Sequence, residues 1–381
     1  MRTLSILGST GSIGRQTLEI VDMFPNHFKV EALCARQNSQ LLFEQVRRYQ
    51  PKYAALTGCE VTIPKDLKKS CEWLFGDAAL ETLAGVGTAQ DVMVSVSGMV
   101  GLRAVLAARQ AGRRVLLANK EALVAGGSLV MSQCEVGGHQ ATLLPVDSEH
   151  SAIFQCLNAS QGNPFRKLIL TASGGPFRNW DIKKIKTATI EQALNHPNWS
   201  MGSKISIDSA SMFNKALEII EAKWLFSADP EQIEVVVHPQ SIVHSCVEFE
   251  DGTVLAQMGL PDMRLPILYA MNYPTRLKTQ MKTLDLTAIK DLSFEAPDLE
   301  RFPAISLAYQ TLQTNDASSC ILNAANEEAV AMFLKDEIKF GQIYYIVENT
   351  LQRLGSQRAD TLEEVEYADA IARRTAKRMI Q

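Results

Sequence analysis

"LSILGSTGSIGRQTLEIV", residues 4–21, sets the fold of the first third of this chain. Leu4, Ile6 and Leu7 read as a buried strand. Gly8, Gly11 and Gly14 follow as a GxxGxxG turn, and apolar residues then recur at helical spacing over Ile13–Met23. Strand, glycine turn and helix in direct succession suit a pyrophosphate. Small residues let the backbone approach it, and the unpaired amides at the helix start favour its charge. A glycine turn alone is only a tight turn; its setting gives it weight. Apolar runs at Val30–Cys34, Ala54–Leu56, Val92–Val96, Val115–Ala118 and Ala141–Leu144 alternate with helical segments such as Leu102–Arg109. That alternation predicts an α/β fold, with an N-terminal Rossmann-like parallel sheet over residues 1–146.

The end of the second strand selects the dinucleotide. Folds that take NAD place an acid about 20 residues beyond the glycines, on the ribose hydroxyls. Here "ALCARQNSQ" (32–40) has no acid and offers Arg36, Gln37 and Asn38. A guanidinium with amide neighbours suits a 2′-phosphate, so NADPH is expected. The alternative for Arg36 is an exposed arginine at a helix start.

Residues 147–272 mix helices with strands of alternating polarity, as in "VVVHPQSIVHSCVEFEDGTVLAQM" (235–258), where Asp251-Gly252 makes a hairpin turn. This predicts an α+β catalytic domain. A linker over 273–298 leads to a C-terminal helical bundle, 299–381, whose segments show three-four apolar spacing. A net charge of −4 disfavours nucleic acid as a partner, since phosphate-backbone binding needs a basic footprint. The seven cysteines are scattered and form no CxxC pair, which fits a reducing compartment rather than a disulfide framework or thiolate metal site. The first strand leaves no room for a signal peptide, and no run reaches the roughly 18 apolar residues of a membrane span. A cytoplasmic protein without a membrane partner is expected.

"LPVDSEHSA" (144–152) puts Asp147 and Glu149 two apart, on one side of an extended segment. Carboxylates suit Mg²⁺ or Mn²⁺, but two make half a site. They suit equally well an N-cap with an acidic first helical turn. A third ligand is offered by "SIDSASMFNKALEIIEAKWLF" (206–226). Met212, Phe213, Ala216, Leu217 and Ile220 form its buried stripe; Ser211, Asn214, Lys215 and Glu218 share the other side. Ser209 is expected at the helix start, where with Asn214 and Lys215 it would clamp a phosphate. Glu218, a turn further on, would reach a metal. The competing reading is a solvated face with a lysine–glutamate pair. Lys120 in "LLANKEALV" (116–124) ends a buried strand, where open α/β sheets place their ligands. Ser173 lies in the glycine-rich loop "TASGGPF" (171–177), and Trp199 in "NHPNWSMG" (195–202) suggests a lid, or else an aromatic anchor for its loop. His238 and His244, without an acid between them, read as structural.

Taken together, the stretches GSTGSIG (8–14), LLANKE (116–121), LPVDSEHSAIFQ (144–155), LTASGGPF (170–177), HPNWSMG (196–202), KISIDSASMFNKALE (204–218) and HPQSIVHS (238–245) resemble the 1-deoxy-D-xylulose 5-phosphate reductoisomerases. The resemblance implies an NADPH- and metal-dependent rearrangement and reduction of that phosphorylated ketose to 2-C-methyl-D-erythritol 4-phosphate, on the methylerythritol phosphate route to isoprenoids. It implies Asp147, Glu149 and Glu218 as ligands of Mg²⁺ or Mn²⁺, with Co²⁺ a further candidate. Lys120, Ser148 and Glu149 would hold the reacting end of the substrate. Ser173, Ser209, Asn214 and Lys215 would take its phosphate, with His196 closing over it. Trp199 would belong to a flexible lid (about 173–203), and Met201, Gly202 and Pro261 would lie near substrate or nicotinamide. Thr10, Gly11, Ser12, Ile13, Asn38, Asn119 and Glu121 would contact NADPH. A homodimer is implied as well. The chain departs from the family pattern at Arg36-Gln37, where the positive charge has moved one position, and at Phe213 and Ala216, where only packing changes. Two rivals remain: an NADP-dependent dehydrogenase that does not rearrange its substrate, and a dinucleotide-sensing regulator without turnover.

Overall fold

The computed structural model describes residues 1–59, 61–132, 142–199, 201–314 and 316–380. Cys134, one of the seven cysteines, and Ala141, at the start of the sixth apolar run, lie outside the described residues. The chain divides into two compact units. One comprises Met1–Ala122, Val130–Ser151 and Asp262–Gln280; the other comprises Leu123–Leu129, Ala152–Pro261 and Met281–Gln381.

The chain starts with β1 (Arg2–Leu7), α1 (Ser12–Met23), β2 (Phe28–Ala35), α2 (Ser39–Tyr49), β3 (Tyr53–Leu56), β4 (Glu72–Phe75) and α3 (Ala78–Gly85). It continues through β5 (Asp91–Val94), α4 (Gly101–Gln110), β6 (Arg114–Leu117), α5 (Lys120–Met131), β7 (Leu143–Pro145) and α6 (Ser148–Ala159). The strands form one sheet in the order β4-β3-β2-β1-β5-β6-β7, every pairing parallel. Leu4, Ile6, Leu33, Val92, Val115 and Leu144 are fully buried in it, as continuous apolar strands covered by helices should be. The expected Rossmann-like sheet is therefore present, with one strand more than the six apolar runs. The addition, β4, is an edge strand whose Glu72 and Phe75 are exposed, so it does not read as a buried run.

Strand order reverses between β1 and β5, the switch point at which open α/β sheets bind their ligands. The glycine turn stands there. Gly8 has φ +91°, and a Cβ on it would lie 2.6 Å from the Ser95 carbonyl oxygen beyond β5. A Cβ on Gly14 would overlap the Gly8 carbonyl. At the opposite end of the sheet, Asp91 and Arg114 form a bidentate pair, and Arg114 also donates to the Met271 and Tyr273 carbonyls, both at 3.0 Å. That anchor explains why residues 262–280 return to the first unit.

The second unit is built on β8 (Phe165–Ala172), followed by α7 (Ile182–Lys186), α8 (Ile190–Leu194), α9 (Ser203–Ser211), α10 (Phe213–Phe226), β9 (Ile233–Val237), β10 (Val243–Phe249) and β11 (Val254–Met258). Its sheet runs β11-β10-β8-β9, with β9 parallel to β8 and the other pairings antiparallel. The β10–β11 hairpin turns at Asp251-Gly252 as predicted, with Gly252 at φ +82°. After α11 (Arg264–Asn272), in the first unit, come α12 (Ala304–Leu312), α13 (Ser318–Leu334), α14 (Gln342–Leu354) and α15 (Leu362–Lys377). α13 runs against α9, α12, α14 and α15.

The stretch 206–226 differs from the single helix expected of it. It is two helices, because Met212 takes a left-handed conformation (φ +62°) between α9 and α10. Ser209 therefore sits in the last turn of α9, not at a helix start, and Asn214 and Lys215 form the first turn of α10.

No helix among the described residues is long and apolar enough to cross a membrane. The six described cysteines are free, and burial pushes the Cys34 and Cys156 thiols up to about 12 and Cys246 up to about 11, so these stay protonated and unreactive. Gly8→Ala is expected to lower the unfolding free energy by at least about 2 kcal/mol, from left-handed strain plus the Ser95 overlap. Urea unfolding of the variant measures it; an unchanged midpoint contradicts the turn geometry.

Candidate active site

In the first unit the glycine turn is bare. Gly11 is the N-cap of α1 and its N–H donates to the Gly8 carbonyl at 3.0 Å. Gly11 and Ser12 are exposed, while Thr10 and Ile13 are half-buried. Arg36, Gln37 and Asn38 are all exposed just beyond β2, and Asn38 caps α2 by accepting from the Leu41 N–H at 3.1 Å. Asn119 and Glu121, by contrast, are buried and occupied with each other. The Asn119 amide donates to the carbonyls of Val96 (2.9 Å) and Gly98 (3.0 Å) and to Glu121 (2.8 Å), while its oxygen caps Ala122. They brace the loop after β5, a task that spacing could not reveal.

The two acids of "PVDSEH" do not lie on an extended segment, as expected from their spacing. Asp147 is the residue before α6, accepting from the Glu149 N–H at 3.1 Å, and Glu149 lies in the first helical turn. The helix cap is thus realised, and the two acids also form a pair with carboxylate oxygens within 4.8 Å of each other, a spacing that could hold a metal ion. The Asp147 carboxylate is held from two sides. Buried His150 approaches Oδ1 at 3.2 Å, and the Lys120 ammonium donates to Oδ2 at 3.1 Å. Lys120 opens α5 just past the end of β6 and is only 8% exposed, so the ion pair is shielded from solvent. Ser148 donates to the Glu149 carboxylate at 2.5 Å. Sequence reasoning missed His150. Its one sequence signal is its place three residues after Asp147.

In the second unit, side chains collect at the C-terminal end of β8. Ser173 follows that strand directly, and its hydroxyl lies 3.0 Å from Nε2 of His196. Nδ1 of His196 accepts from the Asn198 and Trp199 backbone N–H groups, at 3.2 and 3.0 Å. With Nδ1 used as an acceptor, the neutral ring carries its hydrogen on Nε2, facing Ser173. A Cβ on Gly175 (φ +66°) would lie 2.6 Å from the Ser209 carbonyl oxygen, so only a glycine lets the 173–175 loop approach the end of α9. Lys215 donates to the Thr171 carbonyl at 2.5 Å and pairs with Glu218; Asn214 donates to Glu218 at 2.5 Å. Lys215 and Glu218 are both buried, so the reading of a solvated face does not hold.

The loop carrying His196 and Trp199 is tied down at Asn198, which sequence reasoning overlooked, and at Trp199. Asn198 donates to the Pro239 carbonyl (2.7 Å) and the Ser241 hydroxyl (2.8 Å), and the Trp199 ring lies 6.1 Å from that of His244. Gly202 is the N-cap of α9, and Met201 and Pro261 are half-buried. His238 is structural as expected, its Nδ1 2.9 Å from the Ser293 carbonyl and its Nε2 accepting from the Ile242 N–H.

Comparison with known proteins covers the whole chain. Residues 4–127 match the family model described as 1-deoxy-D-xylulose 5-phosphate reductoisomerase. Residues 143–226 and 258–375 match two models of C-terminal domains of the same enzyme. The chain is similar to the 1-deoxy-D-xylulose 5-phosphate reductoisomerases of Pelotomaculum thermopropionicum (48% identity, covering 100% of this chain and 99% of the relative) and Nitrosomonas eutropha (45%, covering 100% and 94%). Its fold matches the Zymomonas mobilis enzyme in complex with NADPH, with TM-score 0.90, 42% identity and coverage of 100% and 98%. A DOX-P reductoisomerase in complex with NADPH, fosmidomycin and magnesium matches with TM-score 0.90, 37% identity and the same coverage.

Replacing Lys215 with methionine removes the cation beside the buried Glu218 carboxylate. In metal-free protein the unfolding free energy is expected to drop by about 3 kcal/mol, and Glu218→Leu added to it should recover most of that loss. Urea unfolding of both variants measures this; a neutral Lys215→Met contradicts the buried pair.

Proposed function

The chain belongs to the 1-deoxy-D-xylulose 5-phosphate reductoisomerase family, and from that premise we propose which of its residues perform each part of the reaction. The enzyme rearranges 1-deoxy-D-xylulose 5-phosphate and reduces the product with NADPH to 2-C-methyl-D-erythritol 4-phosphate, a step toward isoprenoids, using a divalent metal. One observation carries most weight for the site: two carboxylates lie within 4.8 Å of each other, beside a shielded lysine, at the end of β7.

The chain's own groups fit both cofactors. A turn kept free of side chains by Gly8 and Gly14, at the sheet's switch point, suits the pyrophosphate of NADPH, with Thr10, Gly11, Ser12 and Ile13 against it. Exposed Arg36 is the group for the 2′-phosphate, flanked by Gln37 and Asn38. Asn119 and Glu121 act indirectly, by fixing the loop after β5. An all-carboxylate donor set, Asp147, Glu149 and Glu218, suits Mg²⁺ or Mn²⁺, with Co²⁺ a further candidate. When bound, the cation supplies Lewis acidity to the substrate's carbonyl and hydroxyl oxygens, and NADPH supplies the hydride.

The remaining work falls to side chains. Lys120 puts a positive charge where the substrate's oxygens lose protons and gain charge, and Ser148 and Glu149 orient that end. The phosphate binds to Ser173, Ser209, Asn214 and Lys215, and the Nε2–H of His196 donates to it. Trp199 covers the substrate and excludes water that would quench charged intermediates, with Met201 and Gly202 beside the nicotinamide. Residues 1–146 serve NADPH, 147–272 the substrate and metal with a lid at about 173–203, and 299–381 support them. The enzyme acts as a cytoplasmic homodimer. Edge strand β11, with Val254 exposed, supports an interface along that sheet.

Asp147→Asn and Glu218→Gln should each abolish turnover and leave NADPH affinity unchanged by fluorescence titration; equal loss of NADPH binding contradicts the metal assignment. Ser209→Ala should raise KM for the substrate by about 10- to 100-fold, the worth of one hydrogen bond to a charged group. A molecule joining a phosphonate to a hydroxamate should inhibit only with metal present. Inhibition that survives EDTA contradicts simultaneous use of the phosphate and metal groups.

A further inference from the structure

Ser209, assigned to the substrate phosphate under the proposed function, is carried by α9, a helix of nine residues with a reversal at one end. It starts at Gly202, which has no side chain to cap it, and stops at left-handed Met212. A helix this short and weakly terminated is held in place by its packing and side-chain contacts. Residue 208, next to Ser209, is an aspartate with 1% exposure. Its Oδ2 accepts from Lys204 of the same helix at 2.6 Å, and its Oδ1 accepts at 2.8 Å from the amide of Asn326, itself fully buried on α13.

A buried carboxylate and amide cost desolvation that an apolar contact between the helices would avoid. Among the described residues, moreover, the Asn326 oxygen finds no hydrogen-bond partner, so the pair is a poor choice for stability alone. What it provides is direction. An amide donating to one carboxylate oxygen fixes both the rotation and the axial slide of α9, which a contact between apolar side chains does not. In the same last turn of α9 there is little slack to absorb an error, since the Ser209 carbonyl oxygen lies only 2.6 Å from where a Cβ on Gly175 would be.

We propose that Asn326, in the C-terminal helical segment, is a positioning residue for substrate-phosphate binding, a role that rests on Ser209 holding that phosphate. It acts through Asp208 to hold Ser209 in register with Ser173. The test uses full-length enzyme and three variants, Asn326→Leu, Asn326→Asp and the exchange Asp208→Asn/Asn326→Asp, with Ser209→Ala as reference. For each, KM for 1-deoxy-D-xylulose 5-phosphate, kcat, and the NADPH Kd by fluorescence are measured. Asn326→Leu is expected to raise substrate KM about 5- to 20-fold, with NADPH Kd unchanged and kcat changed far less. Asn326→Asp, with two carboxylates face to face, should raise it further. The exchange, which restores one carboxylate against one amide, should bring KM back toward the parent value even if either single variant folds poorly. A merely structural role would not give that recovery in KM. If the Asn326 variants and the exchange keep the parent KM while Ser209→Ala raises it, the proposal is overturned and the phosphate reading stands. If Ser209→Ala itself leaves KM unchanged, the phosphate reading falls, and this proposal with it. Parallel weakening of NADPH and substrate also overturns it.

Discussion

Negative charge set into the rim of a buried sheet has to be compensated, and the way Asp147 is compensated organises the side chains around the end of β7. One oxygen of its carboxylate caps a helix and meets His150, and the other faces Lys120. Those contacts hold the aspartate in a single orientation and bring the Glu149 carboxylate within 4.8 Å. A cap alone would need one carboxylate, and an ion pair one lysine. Two carboxylates set this close together, both offering oxygen, are a donor pair that suits a hard divalent cation. Lys120 steadies Asp147, and that task does not conflict with its proposed one of offering positive charge to the substrate's oxygens.

The second unit shows the opposite arrangement, donors gathered where the substrate's phosphate is proposed to bind. Ser173, His196, Lys215 and the end of α9 meet beyond β8, and two features of the backbone allow it. Gly175 admits the Ser209 carbonyl, and the left-handed Met212 starts a new helix whose first turn carries Asn214 and Lys215. The neutral His196 ring, with Nδ1 taken by two backbone amides, can only donate through Nε2. The phosphate contact proposed for it would require no change of tautomer.

Much of this was legible in the sequence. The αβ alternation and the glycine turn specified the parallel sheet, since buried strands must be continuously apolar and only glycine tolerates the backbone of Gly8. Chemical type singled out Asp147, Glu149, Ser173, Lys215 and Glu218. Three things escaped. β4 is exposed at a sheet edge and has no apolar run to betray it. The break at Met212 carries no local signal, because methionine has no preference for a left-handed conformation; tertiary packing imposes it, and with it the true place of Ser209. Side-chain partnerships were the third. The bracing of Asn119 against Glu121 and of Asn198 against Ser241 joins residues whose types are ordinary and whose contacts arise only in three dimensions.

The most direct measurement follows NADPH absorbance with 1-deoxy-D-xylulose 5-phosphate in the presence of Mg²⁺ or Mn²⁺, then after EDTA, then after the metal is restored. Oxidation of NADPH that needs both substrate and metal, stops on chelation and resumes on re-addition is the expected result. Oxidation that continues undiminished in EDTA, or none with folded, NADPH-binding protein in either metal, would contradict the role given to Asp147, Glu149 and Glu218.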